Sequence, residues 1–274
     1  MKESKIAFLE EKALWVRQQV LEMCLAAGAG HIAPAFSCAD ILTLLYYGDI
    51  VRVDPRNRTW EDRDRFILSK GQACAGLYPI LADLGFFPVE DLVNYCQNGS
   101  YLGGHTESKV PGVETLTGSL GHGLSIGLGM ALAAKMDKRD YYTFVLLGDG
   151  SLQEGSNWEA VMAAQKYELD NLIAIVDRNN LQALDFTTNS IDPGDLAKPF
   201  EAFGWDVYQA DGHSFEEMDI VFDMATQNRD GRPTVIIAHT TKGKGVSFME
   251  NDPKWHFRIP KGDEITQARK ELKI

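Results

Sequence analysis

Closely spaced cysteine pairs are missing from this chain. Its four cysteines, Cys24, Cys38, Cys74 and Cys96, stand far apart, and without a CxxC pair neither a zinc knuckle nor a disulfide framework is expected. They read as reduced thiols, mostly buried, of a cytosolic protein. Basic charge is also short: 27 Lys and Arg face 39 Asp and Glu, a formal net charge of -12. That argues against nucleic acid or an anionic membrane as partner, although backbone N–H groups, a few cations or a metal can still hold a phosphate locally. No apolar run nears the ~20 residues of a membrane span. The N-terminus meets Glu10, Glu11 and Lys12 before a signal-length apolar stretch develops, so a cytoplasmic location is expected. With no internal repeat, low-complexity tract or clear linker, residues 1–274 read as one domain with a C-terminal extension from about residue 250.

What is present is alternation of helical and strand patterns. Ile6, Leu9, Ala13, Val16, Val20 and Cys24 recur at three- and four-residue steps, predicting a helix over 4–27 that ends at Gly28 and Gly30 and delivers His31. Ser37 to Asp40 has the capping-box pattern ahead of a helix through Ile41, Leu44 and Leu45. Residues 54–65 are charged and loop-like, and Arg65 to Ser69 is a short buried strand ending in Lys70-Gly71-Gln72. Helices follow over 77–84 and 89–96, then a glycine-rich stretch containing Gly103-Gly104-His105 and Thr117 to Gly123, then a helix over 124–135. Further on come a helix over 196–203, a strand over 205–209, a helix over 214–227 and a strand over 234–238. The loop Thr241 to Gly245 and a charged, partly helical tail with Trp255-His256 complete the chain. The expected fold class is α/β, a parallel sheet flanked by helices.

The most informative stretch is Tyr142 to Leu181. An apolar run, Thr143 to Leu147, breaks at Gly148-Asp149-Gly150, passes through a helical segment and returns as Leu172 to Val176 before Asp177-Arg178-Asn179-Asn180. In a β-α-β unit both polar clusters arrive at the carboxyl edge of the sheet, where ligands bind. Asp149 and Asn179 are 179 - 149 = 30 residues apart, about one such unit. Magnesium or calcium takes hard oxygen ligands, and Asp149, Asn179 and the Leu181 carbonyl can supply them, with phosphate oxygens completing the shell. Asp and Asn after strands also form plain turns. Their coincidence, with glycine on both sides of the Asp, favours a metal and, through it, a diphosphate.

GDG followed after about thirty residues by NN resembles the thiamin-diphosphate signature, and GDGSLQEGSNWEA with LIAIVDRNNLQ resembles transketolase in particular. The resemblance runs through AGAGHIAPAFSCADIL, FILSKGQACAGLYPIL, YLGGHTE, TGSLGHGLSIGLGMALAAK and TKGKGVSFMENDPKWH, in that order. It is strongest to the separately encoded N-terminal half of split transketolases. The resemblance implies the thiamin-diphosphate-binding fold and movement of a two-carbon ketol unit from a ketose, or ketose phosphate, to an aldose. It implies thiamin diphosphate and Mg2+, or Ca2+ or Mn2+, as cofactors, with Asp149, Asn179 and the Leu181 carbonyl on the metal. Gln72, Gly118, Leu120, His122, Gly148, Gly150, Asn179 and His256 fall at cofactor-binding positions. His31 and His105 would face the donor sugar, His256 the diphosphate and reacting carbon, and Glu154 a subunit interface linking two active sites. It also implies a partner chain carrying the pyrimidine-binding domain, in a heterotetramer, because the glutamate that activates the aminopyrimidine belongs to that domain.

Competing readings have specific weaknesses. The α chain of a 2-oxo acid dehydrogenase also uses GDG and NN, but is not expected to carry His31, His105 and TGSLGHG in this order. A non-catalytic cofactor-binding subunit is disfavoured by the presence of His31, His105 and His256. Gly121-His122-Gly123 lacks the third glycine of a dinucleotide fingerprint, and Gly150 to Ser156 lacks the P-loop lysine. Lys242 and Lys244 read equally as phosphate neutralisers or as solvated loop residues, while His213 and His239 read as turn and strand residues. Two departures from the family pattern bear on the donor. Gln72 replaces the usual histidine, losing its proton and charge, and Pro34-Ala35 replace small glycines. A modified ketose donor follows as the expectation. Gln72→His is therefore expected to change the relative rates across a panel of ketose donors; an unchanged ranking would remove the expectation.

Overall fold

The computed structural model describes residues 1–183 and 185–274. Its centre is a five-stranded, wholly parallel sheet in the order β1-β2-β3-β5-β4, formed by β1 (Arg65–Leu68), β2 (Thr143–Gly148), β3 (Leu172–Arg178), β4 (Asp206–Asp211) and β5 (Thr234–His239). The helices are α1 (Glu3–Ala27), α2 (Ile32–Ser37), α3 (Ala39–Tyr47), α4 (Cys74–Asp83) and α5 (Gly123–Met136). They continue with α6 (Gly155–Lys166), α7 (Thr187–Ser190), α8 (Ala197–Ala202), α9 (Phe215–Gln227) and α10 (Asp263–Glu271).

The uninterrupted apolar strands are explained by burial on both faces. Because side chains alternate along a strand, Phe144, Leu146, Ile173, Ile175 and Ile236 join the core under α1 to α4 and α9. Val145, Leu147, Ala174, Val176 and Ile237 join the opposite core, under α5, α6 and α8. Each fully buried Val, Leu, Ile or Phe contributes roughly 1.5–3 kcal/mol, so two complete cores fix the register of the sheet and hence the position of its carboxyl edge. Met249, Trp255, Ala268 and Leu272 are buried in the first core, so the chain beyond residue 250 is packed rather than trailing.

Two local expectations change. No side-chain cap forms at α3, whose N-cap is Cys38. Ser37 instead ends α2 and donates its Oγ–H to Asp177 Oδ1 at 2.7 Å, while Asp40 pairs with Arg17. Tertiary partners offered these two side chains stronger bonds than the local cap. Residues 89–94 form a 3₁₀ helix with only Leu92 buried, too few apolar anchors for a longer helix.

Gly127 brings α5 close against the sheet: a Cβ there would lie 2.5 Å from Val145 Cγ2. Alanine improves helix propensity by ~1 kcal/mol, but overpacking against a stiff β-branched side chain costs about 1–3 kcal/mol. Gly127→Ala is expected to lower unfolding stability by about 1 kcal/mol net in urea titration; a stabilised variant would show that α5 moves freely away from β2.

Candidate active site

At the carboxyl edge the chain leaves β1, β2, β3 and β5 into loops that enclose a cavity of about 280 Å3. Its lining includes His31, Gln72, His105, Gly118, Leu120, Gly148, Asp149, Gly150, Asn179, Leu181 and His256. Residues separated by more than two hundred positions are thus gathered in one place. His122 and Glu154 lie outside the lining, and both are exposed. His122 hydrogen-bonds the Leu120 carbonyl through Nδ1 at 3.0 Å, and Glu154 is the N-cap residue of α6.

Asp149 begins a 3₁₀ helix directly after β2 and is 3% exposed. Its carboxylate accepts the Gly150 N–H at 2.8 Å and the Asn180 N–H at 2.6 Å. The second bond explains the paired asparagines. Asn180 adopts φ 60°, a left-handed conformation that Asn tolerates; its N–H reaches Asp149 while Asn179 faces the cavity. Asn179 Oδ1 accepts the Leu181 N–H at 3.0 Å, and its Nδ2 donates to Ser37 Oγ at 2.9 Å. Burial, together with the nearby Asp177 carboxylate, pushes the Asp149 pKa up to about 6.

Asp177, at the end of β3, is fully buried and forms an ion pair with Lys70. Ser37 and Thr240 donate hydroxyl protons to Asp177 Oδ1, and Lys70 Nζ also donates to the Pro34 carbonyl at 3.1 Å. Burial pulls the Lys70 pKa down, but the attraction of Asp177, its hydrogen bond and the other negative groups nearby together outweigh it, and the net direction is up. Lys70 is therefore a fixed positive charge beneath the cavity. Lys242, 2% exposed, is a second. Burial and the Lys70 charge lower its pKa to about 8, which leaves it mainly an ammonium at neutral pH. Of the two lysines the sequence left undecided, Lys242 is the one that lines the cavity; Lys244 does not.

The histidines form a cluster. The His31 ring centroid lies 5.5 Å from that of His105 and 5.3 Å from that of His256. Gly30, at φ 133°, allows this approach, since a Cβ there would sit 2.4 Å from Cys24 Sγ. Burial lowers the His31 pKa to about 4, with His105 and Lys242 adding to the effect. Burial and Lys242 lower that of His256 to about 3. Both rings are neutral at pH 7. Lys242 Nζ lies 2.9 Å from His256 Nδ1; an ammonium can only donate, so Nδ1 accepts and the imidazole proton sits on Nε2.

A family model described as the transketolase thiamine diphosphate binding domain matches residues 10–274. The chain belongs to this family. It is 44% identical over 256 residues to one of the subunits of the apulose-4-phosphate transketolase of Phocaeicola vulgatus, covering 93% of this chain and 90% of that one. The corresponding protein of Actinobacillus succinogenes, which bears the same name, is 42% identical over 267 residues, covering 97% and 96%. The crystal structure of transketolase from Campylobacter jejuni superposes with a TM-score of 0.91 at 33% identity, covering 100% of this chain. The chain spans 43% of that enzyme's length.

The residues suit the family's cofactor and a divalent metal on chemical grounds. Among the described residues, no three His, Cys, Asp or Glu groups cluster as a complete metal site. The transketolase-like set is one carboxylate, one amide and one carbonyl, which leaves coordination positions for phosphate oxygens. A buried carboxylate with raised pKa, facing two lysines, suits a cation bound on it and an anion beyond. His31 Nδ1 and Gln182 Nε2 are buried without a hydrogen-bond partner among the described residues, as expected for groups that wait for a ligand. Lys70, Asp177 and Gln182 were not singled out by the sequence, and Ser37 was read only as part of a helix cap. Lys70 and Asp177 adjoin recognised motifs, and that adjacency was the available signal.

A folded-state pKa raised to about 6 means that ionising Asp149 costs the folded chain stability. The cost is absent below pH 4, grows as pH rises to about 6 and is then constant, at about 3 kcal/mol. In chain prepared without divalent metal, Asp149→Asn should raise the melting temperature at pH 7.5. The gain should vanish near pH 4. Equal gains at both pH values would show that Asp149 is not held ionised against its surroundings.

Proposed function

We propose that the chain is the diphosphate-binding subunit of a two-chain transketolase, acting in the cytoplasm with a separate subunit that carries the pyrimidine-binding domain, in a heterotetramer. The reading treats residues 1–274 as one domain. The observation that carries it is the convergence of Asp149, Asn179 and Leu181 with His31, His105 and His256 around one cavity at the sheet's carboxyl edge. The two bacterial relatives, whose names make each of them one subunit of its enzyme and whose lengths the chain nearly matches, support the two-chain form.

Asp149 Oδ, Asn179 Oδ1 and the Leu181 carbonyl would hold Mg2+. Gly118, Leu120, Gly148 and Gly150 would let the backbone approach the diphosphate, with Lys70 and Lys242 balancing its charge. Thiamin diphosphate, when bound, supplies the nucleophilic carbon that takes up the two-carbon unit. The neutral His31 and His256 suit hydrogen bonding to sugar hydroxyls: His256 donates from Nε2–H, and His31 offers its unpartnered Nδ1. With pKa values near 4 and 3, they orient hydroxyls and accept a proton only transiently. His105 completes the donor side, and Gln72, in the same lining, contributes an amide donor and acceptor. Exposed Glu154 and His122 suit contact with another protein chain. A modified ketose donor accords with the substrate in the names of both relatives.

The test is co-expression with a pyrimidine-domain chain, followed by a donor and acceptor screen in the presence of thiamin diphosphate and Mg2+. Ketol transfer is expected from the complex and not from this chain alone. Turnover by the purified chain alone would overturn the two-chain reading; a complex that binds cofactor but transfers no ketol unit would overturn the activity.

A further inference from the structure

Behind the cavity, Asp40 holds two side chains that grip the loop following β5 on either side of Lys242. Asp40 is 7% exposed and accepts a bidentate pair of bonds from Arg17, Nη1 to Oδ1 at 2.8 Å and Nη2 to Oδ2 at 2.6 Å. Arg17 Nε then donates to the Lys244 carbonyl at 3.1 Å. His213 Nδ1 lies 2.6 Å from Asp40 Oδ2, and its Nε2 lies 2.8 Å from the Thr241 nitrogen. Since the Thr241 N–H can only donate, Nε2 is the acceptor and the His213 proton sits on Nδ1, toward Asp40. One carboxylate therefore fixes the residues at 241 and 244, and Lys242 lies between them. Burial raises the Asp40 pKa, but the Arg17 guanidinium and His213 more than offset it and hold the carboxyl well below its usual range. Asp40 is therefore a carboxylate throughout the neutral range.

Two fixed points three residues apart leave the backbone at Lys242 little freedom. Its side chain is in turn held by the Gln182 carbonyl at 2.7 Å and by His256 Nδ1. We propose that Asp40 and His213 are positioning residues: through Arg17 and Thr241 they set the Lys242 ammonium, which in turn fixes the His256 tautomer presented to the cavity. The proposal rests on the site reading above, but the chain of contacts exists without any ligand. The loop has other tethers, Gly243 N–H to the Ala33 carbonyl and Asn251 N–H to the Lys242 carbonyl, so loosening the grip shifts Lys242 without unravelling the segment.

His213→Gln provides an amide N–H for Asp40 and an amide oxygen for the Thr241 N–H, whereas His213→Leu provides neither. Arg17→Lys keeps a positive charge beside Asp40 but loses the Nε–H donated to Lys244, and it serves where His213→Leu fails to fold. Two readouts on the full chain apply: the side-chain 15N shifts of His256, and calorimetric affinity for thiamin diphosphate with Mg2+. The wild type and His213→Gln should show His256 with its proton on Nε2. His213→Leu and Arg17→Lys should show mixed tautomers and about tenfold weaker binding, the scale of one lost buried hydrogen bond. A folded His213→Leu or Arg17→Lys chain with the wild-type His256 pattern and affinity overturns the proposal, as does a His213→Gln chain with mixed tautomers. If the wild type binds no cofactor, the site reading fails, and the His256 pattern still decides the positioning claim.

Discussion

Two carboxylates buried side by side at the edge of the sheet set the electrostatic constraint on this structure. Asp177, the last residue but one of β3, is in register with Gly148, the residue before Asp149. Neither charge is tolerable there without compensation, and the chain compensates only one fully. Lys70, Ser37 and Thr240 converge on Asp177 from the end of β1, from α2 and from the end of β5. Removing one partner from such a buried pair typically costs about 3–5 kcal/mol, so this cluster ties together the loops that shape the cavity. Among the described residues, Asp149 has backbone N–H partners alone. A carboxylate left raised in pKa beside a satisfied neighbour supports the cation site proposed above.

The same electrostatics govern the histidines. Burial above all, with the charge of Lys242 adding to it, disfavours a proton on His31 and His256, and both rings are held neutral. Lys242 both depresses the His256 pKa and directs its tautomer. Under the proposed function, positive charge is thereby reserved for the diphosphate, and the rings are left to recognise hydroxyl groups. An acidic protein with a net charge of -12 can bind a diphosphate because the few cations that matter are buried and fixed.

The fold was legible because parallel strands buried on both faces leave continuous apolar runs, as in Thr143 to Leu147 and Leu172 to Val176, and the strands form where those runs lie. The placement of Asp149 and Asn179 in one cavity was legible because each follows an apolar strand and the carboxyl ends of parallel strands share one edge of the sheet. Ser37 was misread because a capping pattern is local, whereas its actual partner, Asp177, lies 140 residues away. Lys70 was passed over for a similar reason, since its meaning depends on an ion pair that only the β1–β2–β3 packing creates. His213 read correctly as a turn residue, yet its contacts with Asp40 and Thr241 arise from three elements meeting. Long-range polar contacts leave no periodic trace in a sequence, and those are the contacts that complete this site.

The central claim is that Asp149 is a desolvated carboxylate whose charge is stabilised by a cation shared with the cofactor's diphosphate. The most direct measurement is the pH titration of the Asp149 carboxyl carbon by 13C NMR, assigned with Asp149→Asn, with and without thiamin diphosphate and Mg2+. The account predicts a midpoint near 6 in the free chain and one displaced well below the ordinary carboxylate range when both are bound. An ordinary midpoint in the free chain, or one that Mg2+ and thiamin diphosphate leave unmoved, would contradict it.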